Sequence, residues 1–448
     1  LAFSQPKRNS VLYDGPAKQQ LSESQPEGIR MSETPEELVL ARRKRLMDAY
    51  ELRKPDRIPI RLNFGYMLAK LGGISHRELD NNPEVAQELL EKWALYFAPD
   101  MAAGLGYFVS ATSVMLGDRQ TRWPGYGLPD DKPMQYIEGE YMKAEDYDNF
   151  LDDPTNFTLR TLLPRTYEKL EGLANLPRLS MLVTGYPAFG GLAMALTHPD
   201  LAASMQVLAR LAKFQSERIL QMRKNTERMA ALGFPAGVGS GMGAFALAPF
   251  DFMSDTLRGM RGIFLDMHRR PDKLLAAEEK ARRICAEAAI ESCRQTGGKF
   301  VFIPLHRGSD GFMSLRQFET FYWPQLKGLV NDLVDAGLMP GLFYEGVWNE
   351  RLHYLRELPK GRTTGHFQST DISKLKEIAG DVLSISGCFP VSLLQVGPAE
   401  KVREQTKRYC EILGKGGGFI MAANSSMDEC DPRLVKVWVD ATREYGVY

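Results

Sequence analysis

The sequence predicts an α/β protein: a (β/α)8 TIM barrel with an amino-terminal extension and a long, lid-like insertion. Three observations carry this. Short apolar runs alternate with helical patterns from residue 58 to the end, as parallel strands joined by crossover helices do. A doubly wound open sheet, the nearest competitor, calls for a glycine fingerprint opening a helix early in the chain, and none is present. The 448 residues are 44% hydrophobic, enough for one large core, and α/β barrels often exceed ordinary domain size.

Residues 1–33 are polar, rich in Gln, Ser and Pro and without periodicity. They read as a flexible arm or an oligomer-wrapping tail, and 34–448 as a single barrel domain. The sequence opens on Leu1, and Met31 is a candidate internal start. Order begins at TPEELVLARRKRLMDAYEL, where Thr34 caps a helix, Pro35 suits its first position and Glu37 completes a capping box. Nine strand candidates follow: 58–64, 101–109, 179–187, 237–247, 300–305, 339–346, 363–367, 383–389 and 418–424. An eight-stranded barrel needs one fewer, so one is peripheral or is not a strand. Between them lie helical patterns such as FETFYWPQLKGLVNDLVDAG and PAEKVREQTKRYCEILGKGGG, each with a glycine stop. The segment 110–178 is the insertion; its part from 122 to 157 is rich in aromatics, acids, Gly and Pro, the composition of a long βα loop or lid.

Bulk properties narrow the function. Net charge is zero, whereas phosphate binding needs a basic excess or a basic face, so nucleic acid is not an expected partner. The run ARRKR (41–45) follows acids in a helical pattern and reads as a solvated face. No apolar run reaches the roughly 18–20 residues of a membrane span, and the first ten residues lack an apolar signal core. Five scattered cysteines fit reduced thiols, so the expected compartment is the cytoplasm. Homo-oligomerisation is left open.

In a barrel the chemistry sits at the carboxyl ends of the strands. Those ends carry His306, Arg307 and Asp310 after 300–305, Tyr344 and Glu345 on 339–346, His366, Cys388 and Asn424. Twenty residues separate Glu345 from His366 and twenty-one separate His366 from Cys388, one βα unit each. A carboxylate, an imidazole and a thiolate make a three-ligand set with an open fourth position, as in catalytic Zn²⁺ sites. Each also has a plain reading: Cys388 as a small buried hydrophobe, His366 as a hydrogen-bonded core residue. Cys285, Cys293 and Cys410 fall on apolar helix faces and read as packing, Cys430 lies in an acidic loop, and His76, His198, His268 and His353 read as surface residues.

With RRKRLMDAYELRKPDRIPI, DGFMSLRQFETFYWPQLKGLVNDLVDAGL, DISKLKEIAGDVLSISGCFPVSLLQVGPAEKV and the closing GGGFIMAANSSM, the chain resembles the uroporphyrinogen decarboxylase superfamily over roughly residues 38–448. That superfamily also holds cobalamin-dependent methyltransferases, and the resemblance implies a (β/α)8 barrel. Its decarboxylases carry an arginine-rich segment after the first strand; here RLNFGYMLAKLGG offers Arg61 alone. Its coenzyme M methyltransferases carry His-x-Cys where this chain has Phe343 and Glu345, and a late cysteine where Asn424 stands. The pair Glu345 and His366 is similar to the end of a Glu…His zinc pattern in substrate-side methyltransferases of O-demethylase systems; the upstream acid of that pattern has no counterpart.

The function expected is transfer of a methyl group from a small substrate, a methoxylated aromatic, to the Co(I) of a corrinoid protein. Zn²⁺ on Glu345, His366 and Cys388 would act as Lewis acid on the ether oxygen. His306 and Asp310 join Glu345 as catalytic candidates, and Tyr66, Tyr344, Trp348 and Arg307 as substrate-binding ones. No D-x-H-x-x-G cobalamin motif is present, so the corrinoid would arrive on a partner protein. A metal-free decarboxylase and a methylcobamide:thiol methyltransferase are the alternatives.

Overall fold

The computed structural model describes residues 33–104, 110–235 and 243–448. All but the last residue of the expected arm 1–33, and parts of two strand candidates, 105–109 and 237–242, lie outside them. The chain is a helix-rich α/β protein built on parallel strands. These are β1 (Arg61–Asn63), β2 (Met101–Ala103), β3 (Ala244–Phe245), β4 (Phe300–Leu305), β5 (Met339–Tyr344), β6 (Thr364–Phe367), β7 (Ser384–Phe389) and β8 (Phe419–Ala423). Strands β3 to β8 pair in sequence order, β1 pairs β2, and a parallel bridge between Ile60 and Met421 joins the two groups. The spatial order is therefore β2-β1-β8-β7-β6-β5-β4-β3.

Helices follow the strands as the alternation predicts: α1 (Pro35–Tyr50) before β1, α2 (Pro83–Phe97) before β2, α3 (Pro199–Ala231) and α4 (Pro271–Thr296) on either side of β3. Then come α5 (Trp323–Asp335), α6 (Ile372–Ala379), α7 (Ala399–Leu413) and α8 (Pro432–Tyr445). The expected capping box opens α1, with the Glu37 amide donating to Thr34 Oγ1 at 3.3 Å and the Thr34 amide to Glu37 Oε2 at 2.7 Å. From α1, Leu46, Ala49 and Tyr50 pack with Met101, Phe300 and Ile420, and Met339 packs against this cluster. These are residues at or near the starts of β2, β4, β8 and β5, so α1 covers the amino-terminal ends of strands from both extremes of the order.

One strand candidate fails. LSMLVTGYP forms a 3-10 turn, Leu179–Thr184, and the start of a helix, Pro187–Leu196. Among the described residues no strand pairs with it, and a lone extended segment would leave its amides unpaired, whereas a helix satisfies them internally. The insertion 110–178 is itself ordered, with short helices and three short strands: Thr121–Pro124, Gly127–Leu128 and Gln135–Tyr136. No described helix is long and apolar enough to cross a membrane.

Candidate active site

Three consecutive strands deliver the site at their carboxyl ends. After β3, Pro249 opens the short helix Pro249–Asp251, and a π-helical stretch, Phe252–Arg258, carries Ser254 and Asp255. After β4 come His306 and Arg307, and after β5 comes Glu345. Asp251 is fully buried and ties the pieces together. Its carboxylate accepts from the His306 amide at 2.9 Å, the Arg307 amide at 3.1 Å and the Tyr322 hydroxyl at 2.8 Å.

Asp255 then orients the imidazole. His306 Nδ1 lies 2.5 Å from Asp255 Oδ2, while His306 Nε2 faces Glu345 Oε1 at 3.7 Å. Burial alone would push this imidazole down, but the Asp255 hydrogen bond and the charges of Asp251, Asp255 and Glu345 outweigh it and lift it to about 9. His306 is thus a cation at neutral pH. Burial pushes the Glu345 carboxyl up, the His306 charge opposes that, and Asp255 adds to it. Burial, then the charge of Asp255, lift Asp251 to about 7. About a third of each of the His306 and Glu345 side chains is open, 34% and 36%, so both can meet a ligand. An oriented imidazolium beside a carboxyl of raised pKa is a proton-donating pair.

The three residues expected to hold zinc are not gathered. Strand register sets His366 level with Phe343 and Ser386, and Cys388 level with Ala422. Glu345 is two positions beyond Phe343, about 7 Å further along its strand. The His366 Nδ1 is 2.6 Å from Arg61 Nη2 and 3.1 Å from Ser386 Oγ. Burial, then the Arg61 charge, hold this imidazole well below its ordinary value. Cys388 follows Gly387, and both have positive φ, 64° and 81°, which takes Cys388 out of strand alternation. Its thiol is buried with its pKa pushed up by burial, and its carbonyl accepts from the Tyr409 hydroxyl of α7. Among the described residues no three His, Cys, Asp or Glu side chains group as metal ligands. The expected zinc set therefore does not fit this geometry.

Other candidates have structural duties. Tyr344 is buried and stacks on Phe367 with centroids 4.3 Å apart, and Trp348 is buried against Phe318, Tyr322 and Tyr344. Neither offers a ring face to a substrate, because both fill the layer between strands and helices. The Trp348 indole instead donates to the Glu345 carbonyl at 2.9 Å, fixing where Glu345 starts. Tyr66 is nearly buried and stacks at 4.1 Å on His76, which is also buried rather than a surface residue. Arg307 pairs with Asp255 at 3.0 Å, and Asp310 with the buried Arg351 at 2.8 Å. Cys285, Cys293 and Cys410 are buried packing residues, as expected, and Cys430 joins them in the core.

The sequence reading missed Asp251 and Asp255. Both stand in APFDFMSD directly after a strand candidate, and acids just past a strand's carboxyl end were the available signal. It also missed Glu278 of α4, which is fully buried with neither carboxyl oxygen hydrogen-bonded among the described residues. Burial, then the charge of Asp251, hold its pKa well above the ordinary value. Folded Glu278 keeps its proton where the unfolded chain has lost it. Its contribution to stability is therefore intact below the unfolded carboxyl pKa of ~4.3 and is lost as pH rises toward the folded value. Glu278→Gln should come close to wild type in urea unfolding at pH 4 and exceed it at pH 8 by ~1–3 kcal/mol; parallel pH curves would count against this.

No family model and no curated protein matches the sequence. Among solved structures, a methyltransferase from Methanosarcina mazei is similar over 90% of this chain and 98% of its own, with TM-score 0.55 and 16% identity. At that identity the likeness is one of fold.

Proposed function

We propose that this chain is a methyltransferase that takes a methyl group from a small methylated substrate, of the methoxylated aromatic kind, for delivery to a corrinoid protein. The observation that carries the reading is the Asp255–His306–Glu345 cluster, an oriented proton-donating pair where consecutive parallel strands end. A methyl ether reacts poorly because its oxygen leaves as an anion. An imidazolium held by Asp255, with Glu345 beside it, can give that oxygen a proton as the methyl–oxygen bond breaks. The Co(I) corrinoid of a separate protein supplies the nucleophile when bound. Asp251 fixes the backbone from which His306 and Arg307 project, and Trp348 fixes that of Glu345, so donor and acceptor groups hold their alignment. The fold shared with a methyltransferase supports the reading. So does the cyclic strand order, which with α1 covering the strand starts we take as a closed (β/α)8 barrel.

The test is methyl transfer from aromatic ethers to free Co(I) cobalamin, read by absorbance, with elemental analysis of the same preparation. Wild type should turn over, and Glu345→Gln should slow it by ~10²-fold or more. Absence of transfer from O-, N- and S-methyl donors alike, or an undiminished Glu345→Gln rate, would overturn the reading. Stoichiometric zinc that disappears in both Glu345→Ala and His366→Ala would restore the metal site.

A further inference from the structure

A surface that shares no residue with this cluster has no counterpart in the proposed chemistry. Residues 179–196, LSMLVTGYPAFGGLAMAL, contain no charged side chain. They form the turn Leu179–Thr184 and the helix Pro187–Leu196, neither of which has a buried residue. Val183 is 90% exposed, Tyr186 88%, Met194 71% and Phe189 55%, and Met181 and Leu196 are also exposed. Nothing in the segment belongs to the main core; Leu192 and Ala195 pack only against a small separate cluster that includes Leu201 and Val207.

We propose that this segment is the interface through which two copies of the chain form a dimer. Monomers seldom expose an apolar patch beyond a few hundred Å². A standard interface takes ~800 Å² from each partner, and aromatic side chains such as Tyr186 and Phe189 bury on the order of 150–250 Å² each. With Leu179, which is exposed as well, these side chains therefore approach one half of such an interface. The absence of charge selects the kind of partner. Interfaces between partners that come and go are about as polar as the general surface, whereas those of permanent homodimers are the most apolar. A corrinoid carrier that must visit and leave would need a polar rim here; a second copy, packing the same patch on itself about a twofold axis, does not.

Sedimentation velocity on the full chain at micromolar concentration tests this. Wild type is expected as a dimer. Val183→Asp with Tyr186→Asp should raise the dimer dissociation constant by at least ~30-fold, with the far-UV circular dichroism of the folded chain unchanged. Tyr186→Ser, a milder change at a cap position whose side chain makes no capping bond, should weaken the dimer in the same direction. Val396→Asp, at a residue 86% exposed on another element, should leave the dimer intact. A monomeric wild type overturns the proposal, including one that co-sediments with phosphatidylcholine vesicles or binds only a corrinoid carrier. So does a dimer that survives the double variant, or one that Val396→Asp dissociates equally.

Discussion

Exchanging Asp255 for asparagine should move the alkaline limb of the pH–rate profile to lower pH, while His306→Gln should lower turnover by ~10²–10⁴-fold at neutral pH. The expectation follows from the competition at His306. Burial disfavours its proton, and the Asp255 hydrogen bond with the surrounding acids wins, placing its pKa at about 9. A general acid of that pKa works below pH 9 and fails above it. Without the Asp255 charge, burial is less opposed and the limb descends toward the ordinary imidazole value of ~6.5 or below it. The same pair bears on stability. A raised imidazole pKa stabilises fully below ~6.5, and that contribution is lost as pH rises through about 9. An NMR titration of the His306 ring in wild type and Asp255→Asn reads the shift without turnover. A ring pKa unchanged by the substitution would refute the argument.

The strand-and-helix alternation was legible because it depends on local signals: caps, glycine stops and apolar runs bounded by turn residues. The capping box of α1 and the helix with Pro398 at its N-cap are where those signals put them. The run at 179–187 shows the limit of such signals. Its apolar content suits a buried strand, but whether a run is buried depends on what packs against it, and among the described residues none of Leu179–Thr184 is buried. Periodicity carries no information on that point.

At the site, residue type and strand position put Glu345, His306 and Arg307 at strand ends, where the structure sets His306 Nε2 3.7 Å from Glu345 Oε1. Equal sequence spacing suggested that Glu345, His366 and Cys388 share a layer. Spacing counts residues without reading register: His366 sits a step below Glu345, and two successive positive-φ residues divert Cys388. The Arg61 contact with His366 joins positions 305 residues apart, and no local pattern reports such a pairing. Asp251 and Asp255 were visible as acids, but their roles come from accepting the amides and imidazole of the next strand's end, which only the fold supplies.

Asp310→Ala should destabilise the chain by ~3 kcal/mol or more while leaving the turnover of the folded fraction near wild type. Asp310 stands at a strand-end loop where a catalytic acid was expected, yet its carboxylate is engaged by Arg351 and the Glu350 amide. Its Oδ1 pairs with Arg351 Nη1 at 2.8 Å, and its Oδ2 accepts from the Glu350 amide at 3.1 Å. Arg351 is 1% exposed, donates to the Met313 carbonyl at 2.6 Å and lies over the Phe318 ring at 4.8 Å. Removing the carboxylate would strand a buried guanidinium that pairs with no other acid among the described residues, the costly way to break a buried pair. Replacing both partners, Asp310→Ala with Arg351→Met, removes the orphaned charge and should recover part of the loss, a coupling that a double-mutant cycle measures. The site residues predict the opposite pattern: His306→Gln affects rate with a smaller change in stability. If Asp310→Ala instead lowered the rate per folded molecule as far as His306→Gln does, the acid would belong to the chemistry and the loop-stapling role would fall.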